Sequence, residues 1–122
     1  MHKIFGTVVR GDNYGKVLGF PTANLDRKYY ARKQLSVKLG IYKGTAVLPS
    51  GKKYQAGIVI GPVDKRGLPK IEAHLLGFKG NLYNRKLCLI LEKYLRPFKR
   101  FKTQTELQKQ IQSDLLRIKK LR

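Results

Sequence analysis

The chain has 122 residues, enough for one domain and too few for two ordinary ones. It carries 27 Lys and Arg against 7 Asp and Glu, a formal charge of +20, yet 42% of it is hydrophobic. That share can bury a core, which argues against simple disorder. No apolar run approaches the roughly 20 residues of a membrane span, and Met1-His2-Lys3-Ile4-Phe5-Gly6 lacks the features of a signal peptide. The single cysteine, Cys88, excludes an internal disulfide and a multi-cysteine zinc site. A small soluble cytoplasmic domain is expected. Basic residues are spread evenly, 11 in residues 1–61 and 16 in residues 62–122, so the charge is not a tail. Such a surface attracts polyanions nonspecifically, whether the partner is nucleic acid or an anionic small substrate.

In chain order, Ile4 to Val9 is apolar and β-branched and reads as a strand ending at Gly11. Residues 21–39 read as irregular, with one short extended piece at Thr22–Leu25. Gly40 to Leu48 forms a second strand, Pro49-Ser50-Gly51 turns the chain, and Tyr54 to Ile60 returns as a third. Lys70 to Phe78 is a fourth, Lys79-Gly80-Asn81 turns, and Lys86 to Leu95 is a fifth. Short strands between Gly and Pro turns predict an antiparallel sheet closed into a small barrel. The period then changes. Thr103-Gln104-Thr105-Glu106 is a capping box, and Leu107, Ile111, Leu115 and Ile118 recur on one helical face. Gln108, Lys109, Gln112, Lys119 and Lys120 take the other side.

Several segments offer chemistry. Gly11-Asp12-Asn13-Tyr14-Gly15-Lys16 can place backbone amides and an ammonium around phosphate, or can be an ordinary turn. Only three residues lie between its glycines, where a Walker A loop has four, and Val17 follows the lysine, so it is not a Walker A loop. In Gly19-Phe20-Pro21-Thr22-Ala23-Asn24-Leu25, extension puts Thr22 and Asn24 on one face, two hard oxygens suited to magnesium or a polar turn rim. In Ile71-Glu72-Ala73-His74-Leu75-Leu76-Gly77-Phe78, alternation groups Glu72, His74, Leu76 and Phe78. Glu72 is either a general base or a solvated outer-face carboxylate. His74 suits packing or a hydrogen bond better than metal ligation. Tyr94-Leu95-Arg96-Pro97-Phe98-Lys99-Arg100-Phe101 interleaves rings and cations, a pattern that stacks a planar ring, holds a base, or anchors the helix. Cys88 reads as an inert buried thiol.

Taken in order, these pieces resemble the riboflavin kinase family, the flavokinase module that stands alone in eukaryotes and forms the C-terminal half of bacterial bifunctional FAD synthetases. The likeness runs from Phe5 to Arg117. It rests on Gly6 to Gly11, Lys16 to Leu25 with Pro21-Thr22-Ala23-Asn24, Gly40-Ile41-Tyr42, Ile60-Gly61, Glu72-Ala73-His74-Leu75, Leu82-Tyr83 and Tyr94-Leu95-Arg96-Pro97. The resemblance implies a mainly β fold: a six-stranded antiparallel Greek-key barrel over about 1–101, with a C-terminal amphipathic helix over about 103–121 packed on it in one domain. It implies transfer of the ATP γ-phosphate to the ribityl 5′-hydroxyl of riboflavin, giving FMN and ADP. Glu72 is then the base, and Thr22 and Asn24 hold Mg²⁺ or another divalent cation and the nucleotide phosphates. Gly15 and Lys16 close over ATP or ADP, and Arg96, Phe98 and Phe101 contact the flavin. A monomer is expected, with no membrane partner, no specific nucleic-acid binding and no FAD synthesis.

Three departures stand out. Phe98 occupies the position of the family's usual glutamate after the flavin-loop arginine. Pro62-Val63-Asp64-Lys65-Arg66-Gly67-Leu68-Pro69 replaces the usual continuation of Ile-Gly, and Tyr83-Asn84 replaces Tyr-Gly. The rival readings are a basic nucleic-acid-binding β-barrel, favoured by the charge, and a degenerate flavin-binding domain of the same fold.

Overall fold

The computed structural model describes residues 2–10 and 22–97, and beyond them positions 106, 109, 110, 112, 113, 116 and 117. The elements are β1 (His2–Val9), β2 (Ala23–Leu25), α1 (Lys28–Arg32), β3 (Gly40–Val47), β4 (Lys53–Val63), β5 (Pro69–Leu75) and β6 (Lys86–Arg96). The strands close into one antiparallel barrel in the order β1-β2-β5-β4-β3-β6. Consecutive hairpins join β3, β4 and β5, and β6 returns to lie beside β3, which is the Greek-key arrangement.

Alternation decides which side chains fill the barrel. Ile4, Val8, Ala46, Ile58, Ile60, Ile71, Ala73, Leu87 and Leu89 point inward and are buried, forming one continuous core with Tyr30, Val37 and Leu75. Gly44 is needed where β3 crosses β6. A Cβ there would run into the carbonyl oxygen of Ile90 and lie 2.6 Å from Ile58 Cδ1. The β3–β4 hairpin closes at the expected Pro49-Ser50-Gly51 turn, with the Gly51 amide donating to the Leu48 carbonyl at 2.8 Å and Gly51 at φ +89°.

Three expectations are corrected. Residues 21–39 are not wholly irregular, because Lys28–Arg32 forms α1, a five-residue helix too short to show periodicity. It buries Tyr30, whose Oη accepts the Val37 amide at 3.1 Å. Second, β5 stops at Leu75 instead of running to Phe78. The chain turns at Leu76-Gly77, with Gly77 at φ +79°, and Phe78 leaves the Glu72 face to pack edge-on against Tyr54 at 5.3 Å. Third, Cys88 is half-buried on the outside of β6, not in the core. Burial pushes its thiol pKa up, which keeps it protonated and unreactive. In the C-terminal stretch the described positions are helical, and Lys109 and Gln112 are exposed. The apolar face through Leu107, Ile111, Leu115 and Ile118, and the cap at Thr103, lie outside the described residues.

The departing segment after Gly61 is a self-closed hairpin tip. Asp64 Oδ1 accepts the amides of Arg66 at 2.9 Å and Leu68 at 3.1 Å, while Arg27 Nη2 sits 2.8 Å from Asp64 Oδ2. Arg27 also donates to the Pro69 carbonyl at 3.4 Å, tying the β4–β5 hairpin to the chain just after β2. The Leu68 amide, helped by the Arg66 amide and Arg27, holds the Asp64 carboxyl below its ordinary value of 3.8 against a smaller opposing effect of burial.

Two outcomes are expected. Ile58→Ala, at a fully buried site, should lower unfolding stability by about 2–5 kcal/mol in urea titrations. For Asp64, the native pKa lies below the unfolded one, so its contribution is full above the ordinary carboxylate range and is lost as pH falls through the native value. The melting-temperature gap between the parent and Asp64→Asn should therefore be present at pH 7 and close on acidification below about pH 4. A gap that stays constant down to pH 2.5 would show that this carboxylate is not the group involved.

Candidate active site

Outward-facing residues of the barrel meet in rows set by strand register. In one row Asn24 of β2 lies opposite Glu72 of β5, Glu72 opposite Val59 of β4, Val59 opposite Ile41 of β3, and Ile41 opposite Arg96 of β6. Two candidate residues twenty-four positions apart in sequence thus stand on one outer face with Glu72 and Arg96 at three strand spacings, about 14 Å. Glu72 and Asn24 are direct cross-strand neighbours, and both are half-buried. The adjacent row pairs His74 with Gly57, and Gly57 with Lys43. His74 Nδ1 lies 3.4 Å from Thr22 Oγ1, so the hydroxyl sits one row from Glu72.

The floor beside Glu72 is apolar. Ile41 and Leu95 are buried in a second, smaller cluster, with Val59 and Leu76 packed against it. A register shift explains how Leu95 reaches it. Between Ile41↔Arg96 and Tyr42↔Tyr94 one residue of β6 is unpaired, and that residue is Leu95. Such a bulge bends the strand and re-aims its side chains. Gly40 permits the close passage: at φ +148°, a Cβ on it would stand 2.5 Å from the Arg96 carbonyl oxygen. The Arg96 guanidinium donates from Nη1 to the Pro97 carbonyl at 3.1 Å.

A second register shift serves electrostatics. Lys43 and Lys93 lie directly opposite each other, a destabilising like-charge pair in isolation. Glu92, the extra residue between Lys93 and Leu91, places Oε1 at 3.6 Å from Lys43 Nζ and accepts from Thr45 Oγ1 at 3.2 Å.

Of the residues singled out in the sequence, Thr22, Asn24 and Glu72 come together, and Arg96 joins the same row at its far end. Gly15, Lys16, Phe98 and Phe101 lie outside the described residues. Alternation groups Leu76 with Glu72 but does not reveal the hydrophobic floor that Val59, Ile41 and Leu95 complete. Its residues come from four segments, and only the bulge at Leu95 turns them to one side. Among the described residues no three His, Cys, Asp or Glu side chains gather as a metal cage, and no helix is long and apolar enough to cross a membrane.

The family model described as Flavokinase, riboflavin kinase, matches residues 1–122. The chain is similar to the bifunctional riboflavin kinase/FMN adenylyltransferase of Escherichia coli (strain K12), with 38% identity over 116 residues, 93% of this chain and 36% of that protein. It is 34% identical over 117 residues to the RNA-binding riboflavin kinase RibR of Bacillus subtilis (strain 168), covering 92% of this chain and 47% of the relative. The riboflavin kinase structure from Trypanosoma brucei superposes with a TM-score of 0.63 at 22% identity, over 98% of this chain and 78% of that one, a likeness of fold. This chain therefore spans less than half the length of either curated relative.

The register makes a prediction of its own. Val59→Glu would set a second carboxylate directly opposite Glu72, which should destabilise the fold by about 0.2–1 kcal/mol beyond Val59→Gln at pH 7. Lowering the pH to 4 should erase most of that difference as one carboxylate takes up a proton. Identical melting curves for the two variants at both pH values would show that positions 59 and 72 do not face each other.

Proposed function

The chain belongs to the riboflavin kinase family, and from that membership and the outer-face row we propose that it transfers the γ-phosphate of ATP to the ribityl 5′-hydroxyl of riboflavin. The observation that carries the reading is the direct opposition of Asn24 and Glu72 across β2 and β5, with Thr22 one row away. Phosphoryl transfer asks chiefly for positioning, charge neutralisation and an oriented nucleophile. Glu72 supplies the last of these. Its carboxylate takes the proton of the 5′-hydroxyl as that oxygen bonds to the γ-phosphorus and the bond to the ADP oxygen breaks. Half-burial against Val59 keeps the carboxylate from full hydration.

Thr22 and Asn24 offer a hydroxyl and an amide oxygen, hard donors that fit a magnesium ion taking the rest of its shell from nucleotide phosphates and water. When bound, such an ion neutralises charge on the transferring phosphoryl group. His74, beside Thr22 Oγ1, orients that hydroxyl. In this reading Gly15 and Lys16 cover the ATP and ADP phosphates, and Arg96, Phe98 and Phe101 border the flavin. The apolar floor of Ile41, Val59 and Leu95 lies between Glu72 and Arg96, where a planar flavin can rest. The amphipathic helix over 103–121 packs across the barrel on this side, an arrangement supported by the Arg117 Nη1 contact of 3.4 Å to the Leu95 carbonyl.

The test is FMN formation from riboflavin and Mg-ATP, separated by chromatography, with a chelator control. Glu72→Gln should fold normally and lose roughly 10²–10⁴ of the rate, and chelation should abolish turnover. Undiminished turnover in Glu72→Gln would remove the base assignment. Flavin binding without FMN in the parent protein would favour the degenerate reading raised by Phe98 and residues 62–69.

A further inference from the structure

A different outer face, formed by β1, the first half of β6 and α1, combines one exposed ring with three exposed cations, Lys3, Arg32 and Lys86. Phe5 points outward from β1 and is 45% exposed, although sheet-borne phenylalanines are ordinarily covered. Its ring meets Tyr29 of α1 edge-on at 5.1 Å, and the Arg32 guanidinium lies over Tyr29 at 5.7 Å. Register places Phe5 opposite Cys88, and Cys88 opposite Val47, giving the ring a low apolar surround. Lys3 and Lys86, both exposed, occupy the outward positions one two-residue step to either side, about 7 Å along the strands. The bordering acids are already engaged. Asp26 accepts the amides of Thr7 and Lys28, and Glu92 is held by Lys43 and Thr45.

We propose that this face is a binding site for single-stranded nucleic acid, with a base stacked on Phe5, whose ring Tyr29 braces edge-on, and flanking phosphates on Lys3, Lys86 and Arg32. Charge complementarity favours a polyanion, and the exposed Phe5 ring favours one whose bases are unstacked and available. Stacking and phosphate contacts of this kind carry little sequence preference, so the site reads strandedness and not sequence. It lies away from the Glu72 row and does not depend on the kinase reading.

The probe is a fluorescein-labelled 12-mer of oligouridylate, followed by anisotropy from 50 to 200 mM salt. Phe5→Ala should weaken binding about 5- to 150-fold, the effect of losing one base stack, while the protein stays folded at the assay temperature and forms FMN at the parent rate. Lys3→Gln/Lys86→Gln should flatten the dependence of log K on log salt by about 1.4, for two released phosphate contacts. Lys65→Gln/Arg66→Gln, which removes equal charge from the β4–β5 hairpin tip, should change the slope far less. Equal losses in both double variants, or an unaltered Phe5→Ala protein, would reduce the interaction to general charge and overturn the site. Attachment to anionic lipid vesicles with no oligouridylate binding would overturn it in favour of a membrane surface.

Discussion

Closure of the barrel hangs on three residues. Ala23, Asn24 and Leu25 are all there is of β2, and they bridge β1 on one side and β5 on the other. Asn24 pairs with Val9 and with Glu72 at once, so the strand that closes the ring also delivers an amide to the side of the carboxylate. Ala23 and Leu25 turn inward and are buried, which fixes Asn24 outward because neighbouring strand residues must face opposite ways. Packing and function therefore constrain alternate residues of the same tripeptide. The flanking Arg27 reinforces the arrangement by gripping Asp64 and the Pro69 carbonyl at the start of β5.

From that closure the rest of the outer face follows. Each strand added beyond β5 extends the row by one residue, through Val59 and Ile41 to Arg96. The two irregularities of β6 then adapt the row locally. One turns Leu95 onto the apolar floor, and the other brings Glu92 to Lys43. Both are single-residue register shifts, small changes with large effects on which side chain faces which.

Much of this was legible in the sequence, and the boundary of legibility has a physical cause. Five strands and the extended piece at Thr22–Leu25 announce themselves because period-two patterning and Gly or Pro turns are local signals. Thr22, Asn24 and Glu72 could be singled out because polar oxygens within apolar strands need a reason to be there. Their mutual placement could not be read from patterning, since pairing Asn24 with Glu72 is a contact across forty-eight residues. Family resemblance assigned them roles in one reaction, and the strand register supplies their pairing. The helix α1 escaped notice because five residues hold barely one turn. The end of β5 was misplaced because Leu76 and Phe78 continue the alternation after the backbone has already turned at Gly77. Cys88 was assigned to the interior because its apolar neighbours on both sides mask the outward face of a strand that is partly covered on both sides.

A closed ring presents no free sheet edge, and that protection is only as secure as its shortest member. If β2 detaches, β1 and β5 each lose a partner, and two rows of amides and carbonyls become open to strands of another molecule. Substitutions in the tripeptide that weaken its pairing thus expose the chain to intermolecular strand addition before the remaining hairpins have melted. The uniform positive charge opposes such encounters at low salt, and rising ionic strength removes that opposition. Resistance of this barrel to self-association is accordingly governed jointly by the grip of Ala23–Leu25 and by the salt around it.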